Sequence, residues 1–197
     1  IVLNQSLTGY RAAIDPVLLA AAVDVREGER VLDMGCGTGA AALCLAARMP
    51  EVNVDGLENM PQMAQMAMLN VEANGFGDRV KIIEGDVAHP PDGFQEASYD
   101  HVMANPPYRV AGSGNNPKDH VKAAAMVEGA AGLDAWVTLS WNILRRKGTL
   151  TLVHRADRLG DILVSLRGRF GGVVIFPLWP GSGDHHSSRR VIVRATK

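Results

Sequence analysis

The sequence has little cysteine and no long apolar run, and each shortage excludes a class of protein. Two cysteines in 197 residues, Cys36 and Cys44, do not make a disulfide framework, so we expect a reducing, cytoplasmic environment. The longest nearly continuous apolar run, Pro16 to Val23, is far shorter than the roughly 20 residues that cross a membrane. No basic segment followed by an apolar one opens the chain, so we expect no signal peptide. Residue 1 is Ile rather than Met, which leaves a preceding segment open.

The composition is that of one globular domain, with 47% apolar and 21% charged residues, and we predict a single domain over residues 1–197. The net charge of −1 conceals an uneven distribution of charge along the chain. Residues 1–98 hold 6 basic and 14 acidic side chains, whereas residues 99–197 hold 14 basic and 7 acidic ones. Either the basic side chains are scattered, or they form a face for an anionic partner such as RNA.

Short apolar runs alternate with Ala- and Leu-rich helical segments, which predicts a doubly wound α/β sheet, mostly parallel and with helices on both faces. The last two strands are joined by a Pro/Gly loop without a helix, so we expect an antiparallel pair at that edge. The predicted strands are 30–34, 52–57, 79–83, 97–104, 148–154, 173–176 and 190–195. The predicted helices are 38–49, 61–74, 119–146 (one helix, or two interrupted at Gly129 or Gly132) and 157–167.

A glycine loop follows the first predicted strand, at Gly35, Gly37 and Gly39. Glycines let the chain turn sharply, and the free N–H groups of the next helix face a bound ligand. The spacing fits both a dinucleotide loop and an S-adenosylmethionine loop. Asp33 favours the second interpretation, because a carboxylate repels a pyrophosphate but suits a ligand with an ammonium and a sulfonium group.

Two more acids follow the next two predicted strands. Glu58 could accept hydrogen bonds from both hydroxyls of a ribose, and Asp86 could accept one from an adenine amino group. Each acid alone is more often a turn residue. Three acids after three successive strands indicate one ligand site at the carboxyl ends of the strands, where such sheets bind ligands.

The fourth predicted strand runs directly into Asn105-Pro106-Pro107-Tyr108. The two prolines make the backbone rigid and cannot continue a central strand. The Asn105 side-chain oxygen and the Pro106 carbonyl can each accept a hydrogen of a planar amino group, while Tyr108 stacks on the ring that bears it. These contacts favour a pyramidal nitrogen that can attack a methyl group. No His or carboxylate lies within this motif to act as a base.

On these residues the chain resembles the class I S-adenosylmethionine-dependent methyltransferases that act on nitrogen, which implies a Rossmann-like seven-stranded sheet. The resemblance assigns the catalytic role to Asn105, Pro106, Pro107 and Tyr108. It assigns donor binding to Tyr10, Asp33, Gly35, Cys36, Gly37, Gly39, Glu58, Asn59, Asp86, Val87 and Asn105.

Within this class the chain is similar to the bacterial methyltransferases that modify adenine N6 in a valine tRNA. Similar residues open the chain, namely Gln5, Gly9-Tyr10-Arg11, Asp15 and Leu18-Leu19-Ala20, and residues 1–29 would form a cap near the donor pocket. The segment 112–118 has no counterpart there, which leaves the exact substrate open. Alternatives are the glutamine N5-methyltransferases of release factors, a ribosomal RNA enzyme or a protein that only binds. Only about 29 residues precede the first strand, which argues against the helical domain of the release-factor enzymes, unless it was cut away.

His185 and His186 beside Asp184 are the best metal candidates, but no third and fourth ligand follows at suitable spacing. We therefore predict no metal site and interpret this segment as a solvated loop.

Overall fold

The computed structural model describes residues 1–7, 11–92, 94, 97–110, 127–128, 132–179 and 187–197. Several of the sequence predictions lie outside these residues. They are Gly9, the donor contact of Tyr10, the insert at 112–118, positions 119–126 and 129–131 of the predicted helix 119–146, and the loop with His185 and His186.

A seven-stranded sheet in the order β3-β2-β1-β4-β7-β9-β8 forms the centre of the fold, which confirms the predicted architecture. All pairs are parallel except those of β9, which runs antiparallel to both β7 and β8. Its strands are β1 (Arg30–Met34), β2 (Asn53–Glu58), β3 (Val80–Glu84), β4 (Tyr99–Ala104), β7 (Leu144–Arg155), β8 (Gly171–Leu178) and β9 (Arg190–Thr196). Two short strands, β5 (Arg109–Val110) and β6 (Val127–Glu128), pair separately.

Helices cover both faces of the sheet because successive strand residues point to opposite sides. Leu32, Val102 and Leu152 pack with α4 and α5 on one face, whereas their neighbours on the strands pack with α1 and α2 on the other. The helices are α1 (Asp15–Ala22), α2 (Ala40–Arg48), α3 (Pro61–Ala73), α4 (Leu133–Ile143) and α5 (Leu159–Leu166), with a 3₁₀ turn at Ala156–Arg158. None of the helices in the described part of the chain has the length and apolar character needed to span a membrane.

The order of the strands reverses between β1 and β4, since the chain moves outward from β1 to β2 and β3 before it returns to β4. The carboxyl ends of β1 and β4 therefore diverge into a crevice, which is where open α/β sheets bind ligands. The glycine loop and the Asn105 motif follow these two strands.

The predicted helix 119–146 is wrong at Val127–Glu128, which form β6, and at its end, because β7 already begins at Leu144. Leu144 is fully buried and pairs with Tyr99, while Arg145 forms an ion pair with Asp100. Pairing in the sheet thus overrides the helical preference of this stretch. The pairing then shifts in register, and Gly148 lies so near β4 that a Cβ there would be 2.8 Å from the Asp100 carbonyl oxygen.

Candidate active site

A cavity of about 420 Å³ opens at the carboxyl ends of β1, β2, β3 and β4, within the size range of small-molecule sites. It is lined by residues of both predicted motifs, which had been inferred from separate stretches of sequence. The predicted residues on its wall are Asp33, Gly35, Cys36, Gly37, Glu58, Asn59, Asp86, Val87, Asn105, Pro106, Pro107 and Tyr108. Gly39 instead precedes α2 with φ 83° and packs against Ala67.

The glycine loop has a left-handed backbone, with φ of 67° at Gly35 and 58° at Gly37. Residues with a side chain rarely adopt this backbone conformation, and at Gly35 there is also no room for a Cβ atom. A Cβ on Gly35 would lie 2.5 Å from Cη2 of Trp136, whose ring packs against the loop from α4. The loop therefore keeps its shape through backbone conformation and close packing.

Asp33 lies at the end of β1 and accepts a hydrogen bond from the Ala42 N–H in the first turn of α2, at 3.0 Å. Burial is the main cause that raises the pKa of this carboxyl to about 7; the Ala42 hydrogen bond opposes the shift and the nearby Glu58 adds to it. A carboxyl with this pKa lies near the midpoint of its titration at neutral pH, so a cation placed beside it would favour its charged form.

Glu58, the last residue of β2, is hydrogen-bonded to the backbone of the glycine loop. Its Oε2 accepts from the Gly37 N–H at 2.8 Å, and its Oε1 accepts from the Met60 N–H at 2.9 Å. Burial raises the pKa of this carboxyl, although the backbone hydrogen bonds oppose the shift. A carboxylate offers about four lone-pair positions, so acceptor capacity remains for ligand hydroxyls.

Asp86 stands on the same wall after β3, where its Oδ1 accepts a hydrogen bond from the Ala88 N–H at 2.8 Å.

Asn70 on α3, which is fully buried, joins the N-terminal segment to the glycine loop. Its Nδ2 donates to the Thr38 carbonyl in the loop and to the Asn4 carbonyl, and its Oδ1 accepts from the Asn4 N–H. The N-terminal segment is thus fastened to the glycine loop.

On the opposite wall the Tyr108 hydroxyl lies between two oxygen acceptors, Asp15 Oδ2 at 2.9 Å and Asn105 Oδ1 at 2.5 Å. The Arg190 guanidinium lies over the Tyr108 ring, 4.6 Å from its centroid, and Arg190 Nε donates to Asp15 at 3.2 Å. His154 packs against the same ring edge-to-face, with 5.2 Å between centroids. Burial lowers the pKa of His154 to about 4, so this ring is neutral at pH 7.

Three of the cavity-wall residues that sequence reasoning did not assign to the site are Asp15, Trp136 and Arg190. Asp15 was noted only as part of the N-terminal signature, although an acid before Pro16 is a typical helix start, and α1 begins there. Trp136 lay within a long Ala-rich segment without a distinguishing pattern. Arg190 was noted only as one of the basic residues of the C-terminal half, and its place beside Tyr108 depends on the antiparallel pairing of β9 with β7.

The C-terminal half contains two runs of basic residues, Arg145 to Lys147 and Arg189-Arg190, which lie at opposite ends of the sheet. Arg145 to Lys147 lie at the start of β7, beside the amino end of β4, whereas the cavity opens at the carboxyl end, roughly 15 Å further along the strands. Arg190 lines the cavity and Arg189 is exposed next to it, as is Arg11 on the cavity wall. Only part of the basic charge is therefore near the site.

The residues present fit S-adenosylmethionine. Asp33 at the end of β1 suits an ammonium group. Glu58, which has spare acceptor capacity, suits the ribose hydroxyls, and Asp86 after β3 suits an amino group. The glycine loop leaves space where a side chain would intrude, and acids rather than bases stand after β1, β2 and β3. Fold and site together define a class I, Rossmann-like methyltransferase.

The chain belongs to the methyltransferase small domain family, whose profile matches residues 12–174. A curated relative, the tRNA1(Val) (adenine(37)-N6)-methyltransferase of Yersinia pestis (strain Pestoides F), is 32% identical over 165 residues, which cover 83% of this chain and 65% of the relative. The chain thus spans about 65% of the length of the curated relatives that it matches.

Solved structures show the same fold. A predicted O-methyltransferase, Atu636 of Agrobacterium tumefaciens, is 27% identical with a TM-score of 0.74, and the match covers 93% of this chain and 80% of that one. A SAM-dependent O-methyltransferase of Thermotoga maritima is 20% identical with a TM-score of 0.66, over 96% of this chain and 67% of that one. The second similarity concerns the fold alone.

Proposed function

We propose that this protein transfers a methyl group from S-adenosylmethionine to the exocyclic N6 nitrogen of an adenine in RNA, with tRNA as the RNA class. The observation that supports this proposal is the shared cavity. The glycine loop and its three acids form one wall, and Asn105 to Tyr108 form the other. A donor and a planar nitrogen acceptor held in one cavity gain the advantage of fixed proximity and orientation.

On the donor wall, the Asp33 carboxylate would hold the ammonium group, Glu58 the ribose hydroxyls and Asp86 the adenine amino group. When bound, S-adenosylmethionine supplies a methyl group on a positively charged sulfur, and the carbon–sulfur bond breaks with its electron pair left on sulfur. Asn59 and Val87 follow Glu58 and Asp86 on the wall and would contact the nucleoside. Tyr10 stays a predicted donor contact.

On the acceptor wall, Asn105 Oδ1 and the Pro106 carbonyl would accept the two hydrogens of the target amino group. Pro106 and Pro107 keep these acceptors in place because their backbone φ is restricted. Tyr108 would stack on the target base, a contact worth roughly 1–3 kcal/mol. Since Arg190 covers one face of the Tyr108 ring, stacking uses the face away from Arg190.

Within the described part of the motif, no imidazole or carboxylate serves as a base for the amino nitrogen. A general base contributes about 10²–10⁴-fold, whereas positioning contributes roughly 7–11 kcal/mol. The methyl group is already electrophilic, so orientation of the nitrogen lone pair is sufficient. The proton leaves the nitrogen for water once the nitrogen–carbon bond has formed.

The relatives named for adenine N6 methylation of tRNA support RNA as the substrate, as do Arg11 and Arg190 on the cavity wall and the exposed Arg189 next to Arg190. An adenine in a single-stranded loop, or one flipped out of a helix, can reach a cavity of this kind. A glutamine amide of a protein makes similar demands on the acceptor wall, so the test has to separate the two substrates.

The test is to incubate the protein with labelled S-adenosylmethionine and separate pools of tRNA, ribosomal RNA and release factor. We expect label in tRNA, recovered as N6-methyladenosine after digestion, with RNA binding that weakens steeply as salt rises. Label found only in ribosomal RNA would change the proposed substrate from tRNA to ribosomal RNA. Label in release factor, or binding that salt does not change, would overturn the RNA proposal in favour of a protein substrate.

A further inference from the structure

The acceptor wall contains an acid that the proposed reaction does not yet use. Asp15 stands in the first turn of α1, 93 positions before Tyr108 in the chain, yet its Oδ2 lies 2.9 Å from the Tyr108 hydroxyl oxygen. Its side chain is largely buried, with 16% exposed, and it also accepts from Arg190 Nε. A carboxylate held in this way at a cavity wall needs an explanation beyond the start of a helix.

The Tyr108 hydroxyl can donate one hydrogen bond, fewer than its two neighbouring acceptors could receive. The Tyr108 hydroxyl has one proton but two oxygen acceptors within reach, Asp15 Oδ2 and Asn105 Oδ1. A carboxylate is a stronger acceptor than an amide oxygen, because the hydrogen bond is assisted by its charge. Arg190 Nε also donates to this carboxylate oxygen, at 3.2 Å. The proton therefore goes to Asp15.

The direction of the Tyr108 hydroxyl proton determines which atom of the Asn105 amide faces Tyr108. Once the proton points at Asp15, the Tyr108 oxygen offers Asn105 a lone pair, and an amide oxygen at that distance would be repelled. The amide group then turns so that Nδ2 donates to Tyr108. Its oxygen is released from Tyr108 and can accept a hydrogen of the substrate amino group.

We propose that Asp15 is a positioning residue for methyl transfer, which acts through the Tyr108 hydroxyl to set the orientation of the Asn105 side-chain amide. This inference rests on the proposed function, in which the Asn105 oxygen holds the acceptor nitrogen. Asp15 itself touches neither substrate nor donor in this mechanism.

The first test compares Asp15→Asn, which keeps the shape and removes the charge, with Asp24→Asn. Asp24 is a matched control, because it also forms a pair with an arginine of β9, Arg194 at 3.9 Å, but is 86% exposed and away from the cavity wall. We expect Asp15→Asn to lower kcat at least tenfold while the donor Kd and the KM for RNA change less than threefold. Asp24→Asn should leave all three values unchanged.

A double-mutant cycle then asks whether the effect passes through the hydroxyl. Tyr108→Phe keeps the ring and removes the proton, so adding Asp15→Asn to it should change kcat less than twofold. If the two effects instead multiply, Asp15 acts by another route and the proposal is wrong. A loss of donor affinity or RNA affinity in place of kcat would contradict it equally.

The side-chain amide signals of Asn105 in the donor-free protein give a readout that is independent of activity. Asp15→Asn and Tyr108→Phe should both shift these NMR signals and speed their hydrogen exchange, whereas Arg190→Gln should shift them less. Unchanged signals in Asp15→Asn would overturn the positioning role. If wild-type protein methylates no pool at all, the proposed function fails, and the amide signals still decide whether Asp15 orients Asn105.

Discussion

The two walls of the cavity are built in different ways. The donor wall (Asp33, Gly35, Gly37, Glu58 and Asp86) comes from one stretch of chain, and its acids bond mainly to backbone N–H groups. The acceptor wall (Asp15, Asn105, Tyr108 and Arg190, with His154 packed on the Tyr108 ring) is held by side-chain contacts between distant parts of the chain. Arg190 and Asp15 are 175 positions apart.

This difference suggests how each wall responds to substitution. Backbone hydrogen bonds persist when a neighbouring side chain changes, so the donor wall depends mainly on backbone conformation at the glycines. A side-chain network loses its geometry when a single member changes. We therefore expect changes in the donor wall to alter binding and stability, and changes in the acceptor wall to alter the rate.

The largest effect should come from Asn105→Ala. Loss of one positioned hydrogen-bond partner at a reacting group lowers rates by about 10²–10³-fold. We expect kcat to fall by that factor while the donor Kd changes less than threefold, measured by methyl transfer and calorimetry. Asn53→Ala, at the exposed start of β2, is the control and should keep wild-type values. Near-full activity of Asn105→Ala would contradict the expectation that changes in the acceptor wall alter the rate.

A pair of glycine substitutions tests the donor wall. Gly35 and Gly75 share a φ of 67°, but a Cβ on Gly75 would meet nothing within 4 Å, whereas one on Gly35 would strike Trp136. Gly75→Ala should lower the free energy of unfolding by about 1–2 kcal/mol, the strain of the left-handed backbone alone. Gly35→Ala should lower it by about 2–4 kcal/mol, since overpacking is added.

The same pair is then compared for donor binding by calorimetry. Gly35→Ala should raise the donor Kd at least about tenfold, because displacement of Trp136 disturbs the loop, a difference of about 1.4 kcal/mol. Gly75→Ala should bind the donor as wild type does. Equal donor affinity in both variants would contradict the view that backbone shape determines the donor wall.

Asn70 and Asn74 on α3 allow a smaller comparison of stability. Both bind the N-terminal segment, but Asn70 is fully buried and also bonds to the Thr38 carbonyl in the loop, whereas the bonds of Asn74 to Val2 are exposed. Asn70→Ala should cost about 1–3 kcal/mol, because buried partners lose their bonds. Asn74→Ala should cost less than about 1 kcal/mol. The two unfolding curves in urea measure the difference, and equal costs would contradict this account.

A further comparison concerns the dependence of stability on pH. Because the folded pKa of Asp33 is raised to about 7, folding binds a proton, and the stability due to this group is present below the unfolded pKa near 4 and lost as pH rises through 7. Wild type should therefore lose stability relative to Asp33→Asn between pH 5 and 7, by at most about 1.4 kcal/mol per pH unit. Parallel pH profiles in urea unfolding would contradict the raised pKa.

Much of the fold was predictable because strands and helices depend on local pattern. The apolar run at 30–34, the alternation around it and the glycines after it indicate the structure of a short stretch with no knowledge of distant residues. The donor wall was predictable for the same reason, since each acid follows its own strand. Helix α1 and the early start of β7 were not predicted, because their sequences carry weak or opposite local preferences that packing overrides.

Local sequence was enough to predict the seven strands of the main sheet, the glycine loop, the acids at the ends of β1 and β2 and after β3, and the Asn105 motif after β4. Tertiary structure alone decided that Asp15 and Arg190 meet at Tyr108, that Trp136 packs on Gly35, and that Arg145 lies far from the cavity while Arg190 lines it. The physical reason is that these contacts join residues far apart in the chain. Their proximity depends on the strand order and register of the whole sheet rather than on any local pattern.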